Sequence, residues 1–254
     1  MELAIDTVGM TSSVAVSDRG TPVAEITWPS GRRHTPALIP MIDAVVRAAD
    51  IDRANLSAIA VDTGPGAYGG IRAGMATAGA LAVVLGAPAI GVGRLEIEAY
   101  PHAAAARGAV IAAVHRAGRG QWALALYRGI GDGWREELPP ALCSRSELVD
   151  KLRARSDAGL LCGEADQLGD AALAQLGVCH DIPATSDAWT MPSDAWTMVA
   201  GAANRRRAAV LGEIAWRRMQ AAPDPSRAFH PGQLEPIYLR PPAIGPQPPV
   251  TDDD

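Results

Sequence analysis

Residues 58–88 constrain the fold of this chain more than any other stretch. They open on the apolar run 58–61, which reads as a short buried strand. A turn follows at 62–70, carrying Gly64, Pro65, Gly66, Gly69 and Gly70, the densest punctuation in the sequence. From 71 to 85 nothing except two glycines interrupts a helix, and Gly86 with Pro88 stops it. The order is therefore strand, glycine-rich turn, helix. Backbone N–H groups at such a helix start can face an anion, and the same glycines also serve simply to make the turn tight.

Gly64, Gly66 and Gly69 spell G-x-G-x-x-G, the pattern of a dinucleotide site. Its context is poor: the next strand, 89–92, ends in Gly93-Arg94 rather than in the acid that a ribose hydroxyl needs, and 58–61 is not the first strand. A P-loop is excluded, because no Gly-Lys-Ser/Thr follows. Residues 73–90 carry no charge over a length near that of a membrane span. They are nevertheless rich in alanine and glycine and lack flanking basic clusters, so a packed helix is expected. Along it Gly70, Gly74, Ala78, Ala82 and Gly86 recur every four positions and form one stripe of very small residues. Such a stripe permits close backbone approach, either by the chain's own sheet or by a helix of a second subunit.

The run Thr-Gly-Pro-Gly-Ala-Tyr-Gly-Gly-Ile-Arg-Ala-Gly at 63–74 resembles the G-P-G-S-F-T-G-L-R-x-G signature of the TsaB (YeaZ) family. Gly64, Pro65, Gly66, Gly70, Arg72 and Gly74 match; Ala67, Tyr68 and Gly69 stand where that family usually has Ser, Phe and Thr. His-Thr-Pro-Ala-Leu-Ile-Pro-Met-Ile-Asp at 34–43 is similar to its H-S-x-x-L-L-P-x-I-D stretch, and 236–240 to its closing P-x-Y-L-R. The resemblance implies two α/β lobes of actin-like ATPase (ASKHA) topology, each a mixed sheet with flanking helices. Here they are expected at 1–102 and 103–221, with a proline-rich, extended tail at 222–254. It also implies a non-catalytic partner of a TsaD-type transferase, which with a TsaE-type ATPase makes threonylcarbamoyladenosine beside the tRNA anticodon. A homodimer is the implied state when that partner is missing, and tRNA is implied as an indirect partner. An ATP-dependent small-molecule kinase of the same superfamily is the alternative.

The transferase carries His-Leu-Glu-Gly-His where this chain has Arg-Leu-Glu-Ile-Glu at 94–98, and its two histidines bind a metal. Leu95 and Glu96 remain, while Arg94 and Glu98 replace the histidines. Arginine cannot ligate a metal, so no metal is expected, and the resemblance to an accessory subunit implies no cofactor and no catalytic residue. Arg94 and Glu98 are spaced for an i, i+4 ion pair worth a few tenths of a kcal/mol. Asp6-Thr7 closes the first strand as in the ATP-binding members of the superfamily, so Asp6, Thr7, Gly64 and Gly66 form at most a vestigial phosphate loop. For the contact with the transferase the resemblance points to two helices, near 36–49 and 71–85. The residues expected there are Leu38, Ile42, Val46, Gly70, Ile71, Gly74, Met75, Ala78 and Ala82.

Formal net charge is −5, so no global basic field attracts RNA or an acidic membrane. Cys143, Cys162 and Cys179 have no C-x-x-C spacing and fit buried thiols in a reducing cytoplasm. The first residues show a strand pattern without a basic n-region, so no export signal is expected. Elsewhere 109–114 and 122–127 predict a hairpin around Arg119-Gly120, and 144–155 a helix with Ser144 and Glu147 as a capping box. A further helix is predicted over 198–219. The runs Arg205-Arg206-Arg207 and Arg217-Arg218 read as a solvated face, with contact to RNA phosphates as the sharper option. His34 reads as structural. Ser-Asp-Ala-Trp-Thr-Met occurs at 186–191 and again at 193–198, a duplication in a surface loop.

Overall fold

The computed structural model describes residues 1–31, 35–130, 133–157, 159–178 and 195–240. His34, Cys179 and the first copy of the duplicated hexapeptide lie outside them, as do 241–254. The first five strands are β1 (Glu2–Asp6), β2 (Thr11–Asp18), β3 (Thr21–Pro29), β4 (Ala58–Asp62) and β5 (Ala89–Val92). They form one mixed sheet in the order β3-β2-β1-β4-β5, with β1, β4 and β5 parallel. The crossovers are α1 (Thr35–Ala48) and α2 (Tyr68–Leu85). The strand and helix expected around the glycine-rich turn are thus present, and Gly86 ends α2 in a left-handed conformation.

Large and small residues alternate along these strands, and the alternation decides what each face receives. Leu3, Ile5, Val14, Val16, Ile59 and Val61 point to the side covered by α1 and α2. Ala4, Ala15, Ala58 and Ala60 point to the other. An alanine face admits a helix at short range, and α7 (Ala208–Ala221), a helix from near the end of the described chain, fills it. At Gly212 a Cβ would stand 2.5 Å from Ser17 Oγ, so the approach there needs glycine.

The second sheet contains β6 (Val110–Gly118), β7 (Gln121–Ile130), β8 (Gly133–Ser144), β9 (Gly159–Gly163) and the two-residue β10 (Thr197–Met198). Its order, β8-β7-β6-β9-β10, repeats that of the first. The hairpin and the capping box stand as expected; β8 and β10 are additional. Helices α5 (Arg145–Arg153) and α6 (Asp170–Gln175) cover one face. The other face, again rich in alanine at Ala113, Ala123 and Ala125, receives Leu95 and Ala99 of α3 (Arg94–Ala99). A short α4 (Ala103–Ala106) follows α3 in the chain.

Each lobe's last helix therefore covers the other lobe's sheet. The division drawn in sequence at 102 and 221 is a division of strands, and packing crosses it at both ends. The helix predicted over 198–219 begins only at 208, because 197–198 pair with β9 and 201–204 form a 3-10 turn. Residues 222–240, expected as a loose tail, are hydrogen-bonded to the first lobe. They carry α8 (Pro225–Ala228), and Phe229 accepts from Ala89 N at 2.8 Å while Ile237 N donates to Thr63 at 2.8 Å. Helix α2 is long and apolar enough to cross a membrane by length and composition, yet its small-residue stripe is packed on β1 and β4.

Candidate functional site between the lobes

Parallel neighbours β1 and β4 end in Asp6 and Asp62, which places two carboxylates side by side at the lobe boundary. Both are buried. Between them enters Arg206, from the segment just before α7. Its Nε donates to Asp6 Oδ2 at 2.5 Å and lies 3.5 Å from Asp62 Oδ2, and its Nη1 reaches Glu98 Oε1 at 3.4 Å. Arg94 continues the chain of charges. It donates from Nε to Glu98 Oε1 at 2.8 Å, from Nη2 to Glu164 Oε1 at 3.0 Å, and from Nη1 to His115 Nε2 at 3.2 Å. A guanidinium can only donate, so His115 Nε2 is the acceptor and Nδ1–H donates to Glu164 Oε2 at 2.9 Å.

The electrostatics follow from burial and pairing. Burial, and then Asp6 beside it, push the Asp62 carboxyl well above the usual range. Burial also opposes the charge on Arg206, but Asp6, Asp62 and Glu98 outweigh it and hold its pKa above the ordinary arginine value. Burial alone would raise Glu164; the His115 hydrogen bond and the Arg94 charge instead bring it down to about 2. Asp62 Oδ2 and Glu98 Oε2 are buried without a hydrogen-bond partner, so the cluster's carboxylates are held by fewer donors than they can use. The Arg94–Glu98 pair, expected as a weak i, i+4 pair, is almost fully buried, and Arg94 also reaches Glu164 of the other lobe. Arg206, expected on a solvated face, is buried with it, and Arg207 pairs with Glu25. No group of three or more metal-ligating side chains occurs among the described residues.

The glycine-rich turn is spent on the protein itself. Gly64 N–H donates to Asp62 Oδ1 at 2.8 Å, and Ala67 N–H to the Val8 carbonyl at 2.9 Å. Thr7 Oγ1 donates to the Gly70 carbonyl at 2.7 Å. A Cβ on Gly70 would stand 2.1 Å from the Thr7 carbonyl oxygen, and one on Gly74 2.4 Å from Thr7 Oγ1. One on Gly66 would crowd the Val8 carbonyl in the same way. These residues seat α2 on the β1–β2 turn. Of the expected vestigial loop, Asp6 is taken by Arg206, while Thr7, Gly64 and Gly66 serve local packing.

The stripe corrects a second expectation. Gly70, Gly74, Ala78 and Ala82 face the chain's own sheet, with Ile71 buried beside them and Met75 partly buried. Leu38, Ile42 and Val46 of α1 are buried in the same core. Both readings allow small residues at four-residue spacing; only the position of the sheet decides between them. The faces of α1 and α2 left open are different ones, carrying Ile39, Tyr68, Arg72, Ala76, Ala80, Val83 and Val84.

Residues 28–159 match the family described as "TsaD: tRNA N6-adenosine threonylcarbamoyltransferase", just over half of the chain. The chain belongs to this family. A tRNA N6-adenosine threonylcarbamoyltransferase of Erythrobacter litoralis is 43% identical over 67 residues, 26% of this chain and 20% of that protein. The tRNA threonylcarbamoyladenosine biosynthesis protein TsaB of Escherichia coli is 35% identical over 93 residues, 37% of this chain and 40% of TsaB. The matched stretch thus spans a fifth of the transferase's length and less than half of TsaB's. In fold, YeaZ from Pseudomonas aeruginosa superposes with a TM-score of 0.68 at 20% identity, over 94% of this chain and 99% of YeaZ. The expected TsaB-like, two-lobed α/β architecture is the one found.

Proposed function

We propose that this chain is a TsaB-type accessory subunit, without catalytic activity of its own. It binds a TsaD-type transferase in the threonylcarbamoyladenosine modification of tRNA in the cytoplasm, and a TsaE-type ATPase works through that complex. One observation carries the reading: the acids between the lobes are paired with the chain's own arginines. Arg94 and Glu98 occupy the positions where the transferase resemblance puts metal-binding histidines, and both are committed to ion pairs. Asp6, the acid a nucleotide's metal would need, is committed to Arg206. A kinase would require these groups free.

Docking falls to the outer face of α2 with the adjoining edge of α1. Val83 and Val84 are 69% and 82% exposed, and Ile39 is 51% exposed. Exposed alanines on the same helix, Ala76 and Ala80, keep the face low enough for a second helix to lie against it. Alone, the same face serves a homodimer. The test is Val84→Glu, examined by calorimetric titration with the organism's own transferase and by thermal unfolding. The reading expects affinity to fall about ten- to a hundredfold with stability changed by less than about 0.5 kcal/mol. Unchanged affinity moves the interface elsewhere, and transferase activity retained without this chain overturns the accessory role.

A further inference from the structure

On the side of the lobes away from the Arg206 cluster, strands β7 and β8 present an aromatic wall. Tyr127 lies directly opposite Glu136 in the antiparallel register, and Trp134 precedes Glu136 by two residues, so all three share one face of the sheet. The rings of Tyr127 and Trp134 stack with centroids 5.3 Å apart, and Tyr100 meets Trp134 edge-on at 5.2 Å. A cavity of about 770 Å³ opens against this wall, bounded also by Glu96 and Arg218.

The charges around it do not cancel. Arg218 is spent on Glu96 at 2.5 Å and on the Gly91 carbonyl. Arg217 is spent on Glu213 at 3.2 Å. Glu136 makes no ion pair within 4 Å among the described residues, although Arg218 lies near enough to act on its charge. Partial desolvation, with Glu96 nearby, raises the Glu136 carboxyl, and Arg218 offsets the rise only in part.

Beside this unfilled arrangement stands a filled one. The Arg217 guanidinium lies over the Tyr100 ring at 5.8 Å, and Glu213 accepts from both Arg217 and the Tyr100 hydroxyl. Aromatic face, carboxylate and cation are all present there. Across the same aromatic cluster, Trp134, Tyr127 and Glu136 supply the face and the carboxylate, while the cation on that side, Arg218, is held by Glu96 and the Gly91 carbonyl instead. We propose that the cavity is a binding site for an organic cation, a guanidinium or alkylammonium group seated against Trp134 and paired with Glu136. Attraction of a cation to a ring face adds to the ion pair most strongly where water is thin.

The test uses the full chain at low salt and three probes. Agmatine represents a free metabolite, a capped pentapeptide with one central arginine represents a protein side chain, and butylurea is a neutral analogue. Saturable binding of agmatine or of the peptide by calorimetry is expected, weakened about tenfold or more by Glu136→Gln. Trp134→Leu is expected to weaken it likewise, and the exposed Glu136→Gln variant keeps the test open should Trp134→Leu fail to fold. Agmatine binding at least as well as the peptide assigns the site to a free cation; the peptide alone assigns it to a partner's side chain. Absence of both up to about 10 mM, butylurea binding equally well, or affinity unchanged by Glu136→Gln overturns the proposal.

Discussion

In the first lobe the crossover helices α1 and α2 run for 14 and 18 residues; their counterparts in the second, α5 and α6, run for 9 and 6. The strand order is the same in both sheets. A short helix buries its apolar residues on the sheet and has little surface left over. A long one such as α2 turns several times after its buried stripe is satisfied, and its outer face is left with Val83 and Val84. The lobes also differ at equivalent strand ends. β1 ends in Asp6, while β6 carries His115 and Arg116 towards its end. One lobe brings carboxylates to the boundary, the other brings His115 and Glu164, and Arg94 and Arg206 bind the two sets together. A shared topology thus carries two different features, an exposed apolar helix face on the first lobe and, between the lobes, a network of ion pairs to which both contribute.

The sharpest way to break this comparison is Arg206→Ala. It leaves Asp6, Asp62 and Glu98 buried around an empty space, and removing one partner of a buried ion pair typically costs ~3–5 kcal/mol. Chemical denaturation is expected to show a loss of that size, with a melting point lower by roughly 10 °C. A loss below about 1 kcal/mol means that the lobes are held by packing and the cluster is incidental.

Next in size is the acid limb. Glu164 sits at about 2 in the folded chain against an ordinary 4.5. Its pKa is depressed by folding, so its stabilisation is fully present above about pH 4.5 and is lost as pH falls towards 2. The amount is at most on the order of 3 kcal/mol. Denaturation midpoints measured between pH 5 and pH 2 are expected to fall less steeply in Glu164→Gln than in the unaltered chain. Parallel profiles refute the link between Glu164 and Arg94.

Gly74→Leu probes the first lobe alone. A Cβ there already stands 2.4 Å from Thr7 Oγ1, and overpacking costs ~1–3 kcal/mol. Thermal unfolding is expected to register that cost, with loss of transferase binding only in proportion to unfolding. Binding lost while the melting point holds returns the stripe to the interface. The smallest effect belongs to the second lobe. Ser144 Oγ accepts from Glu147 N at 3.2 Å and Glu147 Oε2 from Ser144 N at 2.7 Å. Ser144→Ala is expected to cost ~1 kcal/mol in stability and nothing in partner affinity.

What could be read in the sequence was local. The strand, turn and helix around residues 58–86 follow from an apolar run, clustered glycines and a Gly-Pro stop, all within a few residues of one another. The capping box at Ser144 and Glu147 is equally local. Strand β8 was missed because Arg135, Glu136, Glu137, Pro139 and Pro140 hide its pattern; its long pairing with β7 supplies what propensity lacks.

Tertiary structure alone decided the rest, wherever a residue's role depends on a partner far along the chain. Arg206 reads as one of three surface arginines until Asp6, 200 residues earlier, takes its Nε. The small-residue stripe of α2 fits a sheet or a partner helix equally well, because close approach has the same steric requirement in both. Its direction was fixed by the β1–β2 turn, whose Thr7 carbonyl and hydroxyl leave no room for a side chain at Gly70 or Gly74. Sequence set the spacing of these residues, and long-range packing chose the surface that meets them.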